Sequence, residues 1–357
     1  MHDTYFSLDS KFQSELLNEA FVRTNRPKHL LEKDIWVVWA LETLFSSNLG
    51  SQITFKGGTS LSKAYKTIER FSEDVDLTYD IRCLLSDIET GPEAIPPTKS
   101  QADKWTNAVR SLLPGWLQSD VIPVMQSGLK AAGLNASLLI DGTWQDTIAI
   151  GYQPLYQGSD YVRPQVRLEF GARSTGEPWE ILPVHCDIAS SFPDIIFPRV
   201  SPRVMKIERT FWEKATAIHV LCKQDKLRGD RLSRHWHDVV TLAESERIRS
   251  SMMDKTWLEQ VVRHKSMFFR EKDQTKNVID YHDCLQGHLR LVPDGETMEA
   301  LRKDYDKMVQ EGFMLAQSMT FDSVIEKCAE LETVINHAYG ASGIPDQDEE
   351  DGDSPGY

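Results

Sequence analysis

Two consecutive glycines, Gly57–Gly58, followed by the alternating run Asp74-Val75-Asp76-Leu77, constrain this chain more than any other feature. Ile53 and Phe55 lead into the glycines, so a short strand ends where the backbone must turn tightly or approach a ligand. Leu61, Ala64, Tyr65 and Ile68 then recur at three- and four-residue spacing, which predicts a helix of about three turns. In the Asp-Val-Asp-Leu run the side chains alternate. A strand there puts Asp74 and Asp76 on one face and sends Val75 and Leu77 into the core. Strand, turn, helix and strand in that order predict an α/β fold.

Paired carboxylates on one strand face repel, and keeping both ionised requires a cation or strong donors between them. Oxygen ligands so arranged suit Mg2+, with Mn2+ as the alternative, since Mg2+ takes one or two carboxylates together with substrate phosphates. A glycine turn opening a helix offers backbone N–H groups to a phosphate. Thr59 and Ser60 add hydroxyls, although either by itself also reads as an ordinary helix N-cap. Together these parts predict a site for a metal-bound nucleoside triphosphate.

The runs G-G-T-x-L-x-K-x-Y (Gly57 to Tyr65) and R-F-S-E-D-V-D-L (Arg70 to Leu77) resemble the nucleotidyltransferase-like toxins of the AbiEii/AbiGii family. That family is the toxin half of type IV toxin–antitoxin and abortive-infection (phage defence) systems, built on the DNA polymerase β-like nucleotidyltransferase fold. The resemblance implies a mixed-sheet core with a helical C-terminal subdomain, a cognate antitoxin, and transfer of a nucleoside monophosphate from an NTP. In several relatives the acceptor is tRNA, so the tRNA 3′ end is the expected target, with translation blocked as the outcome.

A second segment, R-T-F-W-E-K-A (Arg209 to Ala215), matches one in which the family carries a lysine thought to bind phosphates, and Lys214 takes that place. A surface lysine stretched along an apolar face is the competing reading. The segment from Arg231 to Leu242 matches a third family feature, whose aspartate falls on Asp238. The resemblance thus makes Asp74, Asp76, Lys214 and Asp238 the catalytic candidates. Gly57, Gly58, Thr59, Lys63, Ser72, Arg209, Arg234 and His235 are the nucleotide-binding candidates. His235 with His237 is a poor zinc pair, because residues two apart diverge on a helix. A third metal carboxylate is expected on a neighbouring strand. Glu169 is the choice and Asp187 its rival, and an outward-facing acid is the plain alternative for each. Phosphorylating Ser72 would set negative charge beside the aspartates and oppose metal–nucleotide binding, and a hydrogen bond shaping the start of the strand is its simpler role.

Charge argues against a generic nucleic-acid binder, since the formal net charge is −14. The average hides an asymmetry. Six acids crowd Asp346 to Asp353, whereas between Arg199 and Arg234 ten cations face four acids. That basic stripe suits a triphosphate, an RNA backbone or a solvated helix face. Cys83, Cys186, Cys222, Cys284 and Cys328 form no metal or disulfide framework and read as thiols in a reducing cytoplasm. Neither a secretory signal nor a membrane span is expected.

Along the chain, residues 7–24 and Lys28–Phe45 read as helices, with Glu32-Lys33-Asp34 expected to be a structural, surface salt-bridge cluster. Residues 101–131 read as helix broken at Pro114-Gly115. Strands are expected at Ala136–Ile140, Thr147–Tyr152, Pro164–Phe170 and Trp179–Ile188, and helices at Glu208–Leu221 and nearly throughout Lys255–Tyr339. The expected division is a core over 1–200, a helical part over 201–342 and a disordered acidic tail over 343–357. Two other readings stand beside tRNA modification: nucleotidylation of a protein hydroxyl, and a non-catalytic nucleotide- or RNA-binding module. Paired metal carboxylates disfavour the last, because a pure binder has no need of them.

Overall fold

The computed structural model describes residues 3–72, 74–86, 91–158, 162–224, 230–314 and 319–340. Seven strands form one mixed sheet: β1 (Ile53–Lys56), β2 (Asp74–Tyr79), β3 (Ala136–Asp141), β4 (Thr147–Tyr152), β5 (Gln165–Gly171), β6 (Trp179–Ile181) and β7 (Arg203–Met205). Their order is β3-β4-β5-β2-β1-β7-β6, so the strand carrying the paired aspartates is central. β2 runs antiparallel to β1 and parallel to β5, and β7 runs parallel to β1. Val75 and Leu77 are fully buried on one face of β2. Burying each contributes about 1.5–3 kcal/mol. A one-residue slip would expose both and bury the aspartates, which fixes the register.

Helix α1 (Ser10–Thr24) is capped by the Asp9 carboxylate, which accepts from the Phe12 N–H at 2.8 Å. α2 (Lys28–Phe45) is apolar around most of its circumference and shares one core with the inner faces of the strands, as its density of Leu, Val and Trp requires. The glycine turn opens α3 (Gly57–Lys63), which is shorter than the three turns expected. Lys66 takes a positive φ of 55° and ends any continuation, yet Leu61 and Ile68 are both buried.

Pro114 does not break its helix. α4 runs through it from Lys99 to Trp116, and the irregularity is a π turn at Leu117–Val121 before α5 (Ile122–Ala131). A widened turn can absorb the carbonyl crowding that a proline ring causes. The expected strand Trp179–Ile188 is also interrupted. Pro183 follows β6, and Val184–His185 pairs instead with Arg199–Val200 in a separate ribbon.

A second core gathers α6 (Ile207–Lys223), α7 (Arg234–Ala243), α8 (Lys255–Phe268), α9 (Gly295–Gln310) and α10 (Phe321–Gly340), together with Leu61 and Ile68 from the α3 region. Residues 269–294, expected to be helical, hold a short 3-10 turn at Tyr281–Gln286 and an antiparallel bridge between Lys272 and Val278. β7 belongs to the sheet and leads directly into α6, so the two cores meet beside β1 and β2. The acidic tail lies outside the described residues. No helix among the described residues is long and apolar enough to cross a membrane.

Candidate active site

Register places three carboxylates on one sheet face. Asp76 lies opposite Glu169 of β5 and Asp74 opposite Arg167, so Asp74, Asp76 and Glu169 share the side of the sheet away from Val75 and Leu77. Burial raises the Asp76 pKa and Asp74 adds to it, while Lys56, Arg234 and Lys214 pull it back. Glu169 is pushed up to about 7, first by burial and then by Asp74 and Asp76, with Arg167 opposing. Like charges held together in this way are what a bound divalent cation relieves. Among the described residues, no three His, Cys, Asp or Glu side chains converge as a ready-made metal cage. The donor set nonetheless fits a hard cation that keeps part of its coordination for substrate and water.

Asp187 lies elsewhere. Its carboxylate pairs with Lys63 at 2.5 Å and with Arg26, and its N–H donates to Asp34 at 2.7 Å. Lys63 also meets Asp34 at 2.5 Å. Burial works against the Lys63 charge, but Asp34 and Asp187 outweigh it and raise its pKa. The Lys63 ammonium is therefore committed to two carboxylates away from the Asp74–Asp76 face. Glu32, Lys33 and Asp34 are all buried, at 3, 2 and 3 % exposure, which corrects the expected surface cluster. Glu32 accepts from the Leu155 N–H at 2.9 Å, and Lys33 donates to the Arg163 carbonyl at 3.1 Å. Burial takes the Lys33 pKa down to about 7, with Asp74 the leading charge that opposes the fall.

The glycines make room for site residues. Gly57 has φ +75°, and a Cβ on it would stand 1.9 Å from Asp76 Oδ2. A Cβ on Gly58 would stand 2.5 Å from Arg70 Nη2 and 2.9 Å from Ser72 Oγ. Thr59 is fully buried. Its hydroxyl donates to the Asp74 carbonyl and lies 2.9 Å from Ser72 Oγ. Thr59 and Ser72 thus brace the start of β2.

Under this turn, Arg70 grips Asp238 through Nε and Nη2, both at 2.7 Å. Lys214 Nζ lies 2.9 Å from the same carboxylate. Asp238 is fully buried, and Lys214 is 8 % exposed rather than stretched over a surface. Burial opposes the Asp238 charge, yet Arg70 and Lys214 hold its pKa far below the usual range. For Lys214, burial lowers the pKa against the pull of Asp238, and Arg70 and Arg234 add to the lowering. Two cations and one anion leave this cluster net positive.

Arg234 Nη1 stands 3.7 Å from Asp74 Oδ2, joining the helical half to the carboxylate face. His235 is kept neutral by burial and by Lys214 and Arg234, and its buried Nδ1 finds no hydrogen-bond partner among the described residues. It borders a cavity of about 930 Å³ together with Lys265 and Tyr281. Arg209 is turned to Glu213 at 3.1 Å and to the Glu177 carbonyl at 2.6 Å.

The basic run does not form one face. Arg203 donates to the Ser51 carbonyl, Lys223 pairs with Asp283 at 2.6 Å, and Lys226 and Arg228 lie outside the described residues. No site role is expected from the sequence for Arg70, Lys56 or Glu213, and Lys33 is expected only as part of a surface salt-bridge cluster. Arg70 offered one signal, its place at the head of the R-F-S-E-D-V-D-L run directly before the apolar Phe71, where an arginine needs a counter-ion once buried.

A family model for the AbiEii nucleotidyl transferase toxin of type IV toxin–antitoxin systems matches residues 39–327. No curated protein sequence matches. Among solved structures, the chain is similar to the nucleotidyltransferase toxin MenT4 (Rv2826c) of Mycobacterium tuberculosis H37Rv, with 15 % identity and a TM-score of 0.44 over 94 % of this chain and 99 % of that one. It is also similar to JHP933 of Helicobacter pylori, with 14 % identity and a TM-score of 0.42 over 89 % and 96 % of the two chains. With most of its length matched by the family model, the chain belongs to the AbiEii family of type IV nucleotidyltransferase toxins.

Proposed function

We propose that the protein transfers a nucleoside monophosphate from a magnesium-bound NTP to an RNA hydroxyl, at the tRNA 3′ end. Such a modification would stop aminoacylation in the cytoplasm until a cognate antitoxin intervenes. One observation carries the reading: Asp74, Asp76 and Glu169 share a sheet face ringed by Lys33, Lys56, Arg167, Lys214 and Arg234.

Asp74 and Asp76, with Glu169 beside them, would hold the divalent cation. When bound, that cation supplies charge neutralisation at the triphosphate and at the attacking hydroxyl. The chain's own residues do the rest. Arg234 and the net-positive Arg70–Asp238–Lys214 cluster face the charge that moves onto pyrophosphate as the α-phosphorus bond to the leaving oxygen breaks. Asp238 keeps Lys214 charged and oriented, and Gly57 lets the turn lie directly on Asp76. Neutral His235, which borders the cavity, suits a base or sugar of either substrate.

The test incubates the protein with each α-labelled NTP, Mg2+, total tRNA and cell extract, beside Asp76→Asn. Label in tRNA that disappears with Asp76→Asn is the expected result. Label in protein alone would move the acceptor to a protein hydroxyl. No label in any fraction, with toxicity surviving Asp76→Asn, would overturn the transfer reading.

A further inference from the structure

Lys56 is the last residue of β1 and sits directly opposite Asp76, on the same face of the sheet. It is half-buried, and its ammonium has no hydrogen-bond or ion-pair partner among the described residues. Its acidic neighbours, Asp76 and Glu213, act on it without forming an ion pair, so its ammonium keeps donors that an anionic ligand can take.

Its surroundings show which anion. Its second acidic neighbour is Glu213 of α6. Burial would raise the Glu213 pKa, but Lys56, then Arg209 and Lys265, hold it down to about 2. Arg209 already pairs with that carboxylate at 3.1 Å, and Lys265 of α8 donates to the Glu213 carbonyl at 2.8 Å. Three cations therefore surround one carboxylate, and His264 beside them is kept neutral by burial, with its Nε2 2.8 Å from the Arg173 carbonyl. A divalent cation on the Asp74–Asp76 face would match the acids there and leave the positive excess around Lys56 unanswered. A polyphosphate spanning the carboxylate face and this cluster answers it.

We propose that Lys56 is a phosphate ligand for the β- and γ-phosphates of the bound nucleotide, with Glu213 holding Arg209 and Lys265 beside it. The proposal rests on the nucleotidyltransferase reading and adds a residue to it. Lys56 reads the length of the phosphate chain, while Arg70, Lys214 and Asp238 form a separate cluster under the glycine turn.

Displacement of a fluorescent NTP analogue from the full-length protein in Mg2+ tests this. NTP, NMP and inorganic tripolyphosphate serve as competitors against the wild type, Lys56→Gln and Lys56→Arg. Lys56→Gln is expected to weaken NTP and tripolyphosphate about tenfold while changing NMP less than about twofold. Lys56→Arg, which keeps the charge and guards against a folding artefact, is expected to restore most of the loss. Equal weakening of NTP and NMP, or unchanged NTP affinity in Lys56→Gln, would reduce Lys56 to a counter-ion of Asp76 and overturn the proposal. A wild-type protein that binds neither NTP nor tripolyphosphate would instead overturn the nucleotidyltransferase reading, and this proposal with it.

Discussion

Arg70 and Asp238 are 168 residues apart in the chain, yet they form a two-pronged ion pair with both N–H···O distances at 2.7 Å and both side chains buried. The pair joins the loop before the aspartate strand to α7 in the helical half. Lys214 of α6 shares the same carboxylate, so three elements are tied together through a single acid.

Removing that acid should be costly. Asp238→Ala leaves Arg70 and Lys214 as buried, unpaired cations, and a loss of about 3–5 kcal/mol of stability is expected. Arg70→Ala should lose less, because Lys214 still pairs with the carboxylate, and the double variant should lose less than the sum, because both single changes break the shared ion pair. Urea unfolding of the four proteins checks this. Additive losses would contradict a shared ion pair.

Gly57 and Gly58 should fail for different reasons. Gly57→Ala puts a Cβ 1.9 Å from Asp76 Oδ2 at a φ of +75°, so the aspartate must move, and activity should fall at least about 100-fold. Gly58→Ala instead presses on Arg70 Nη2 at 2.5 Å and should lose mainly stability, about 1–3 kcal/mol. Transfer rates and thermal midpoints measured side by side separate the two.

Glu169 should trade stability for function. Its pKa is raised to about 7 by burial, Asp74 and Asp76, so the folded protein binds this proton more tightly than the unfolded chain does. In EDTA its contribution to stability is present below the ordinary glutamate value and declines as the pH rises from about 4.5 to about 7. Glu169→Gln should flatten that decline, raise the midpoint at pH 8 and reduce transfer strongly. A variant less stable than the wild type at pH 8 would contradict it.

Glu213 has the opposite sign. Held down to about 2, it contributes stability above about 4.5 that is lost as the pH falls toward 2. Glu213→Gln should cost on the order of 3 kcal/mol at neutral pH and narrow the gap to the wild type in acid. Denaturation at pH 7 and pH 3 gives the comparison.

Much of this protein was legible in the residues themselves. The strands at 53–56, 74–79 and 147–152 and the helix at 28–45 follow from alternation and three-to-four spacing, which are local properties of the chain. The same alternation puts Asp74 and Asp76 on one face and leaves only Glu169's register to be supplied. Tertiary structure alone decided which charges meet. It buried Glu32-Lys33-Asp34, turned Lys63 away to Asp34 and Asp187, drew Arg70 and Lys214 onto Asp238, and left Lys56 between Asp76 and Glu213. Periodicity tells a side chain which way to face. The partner of a buried charge is set by which distant segments fold against it, because desolvation makes an ion pair stable only where its counter-ion is already in place.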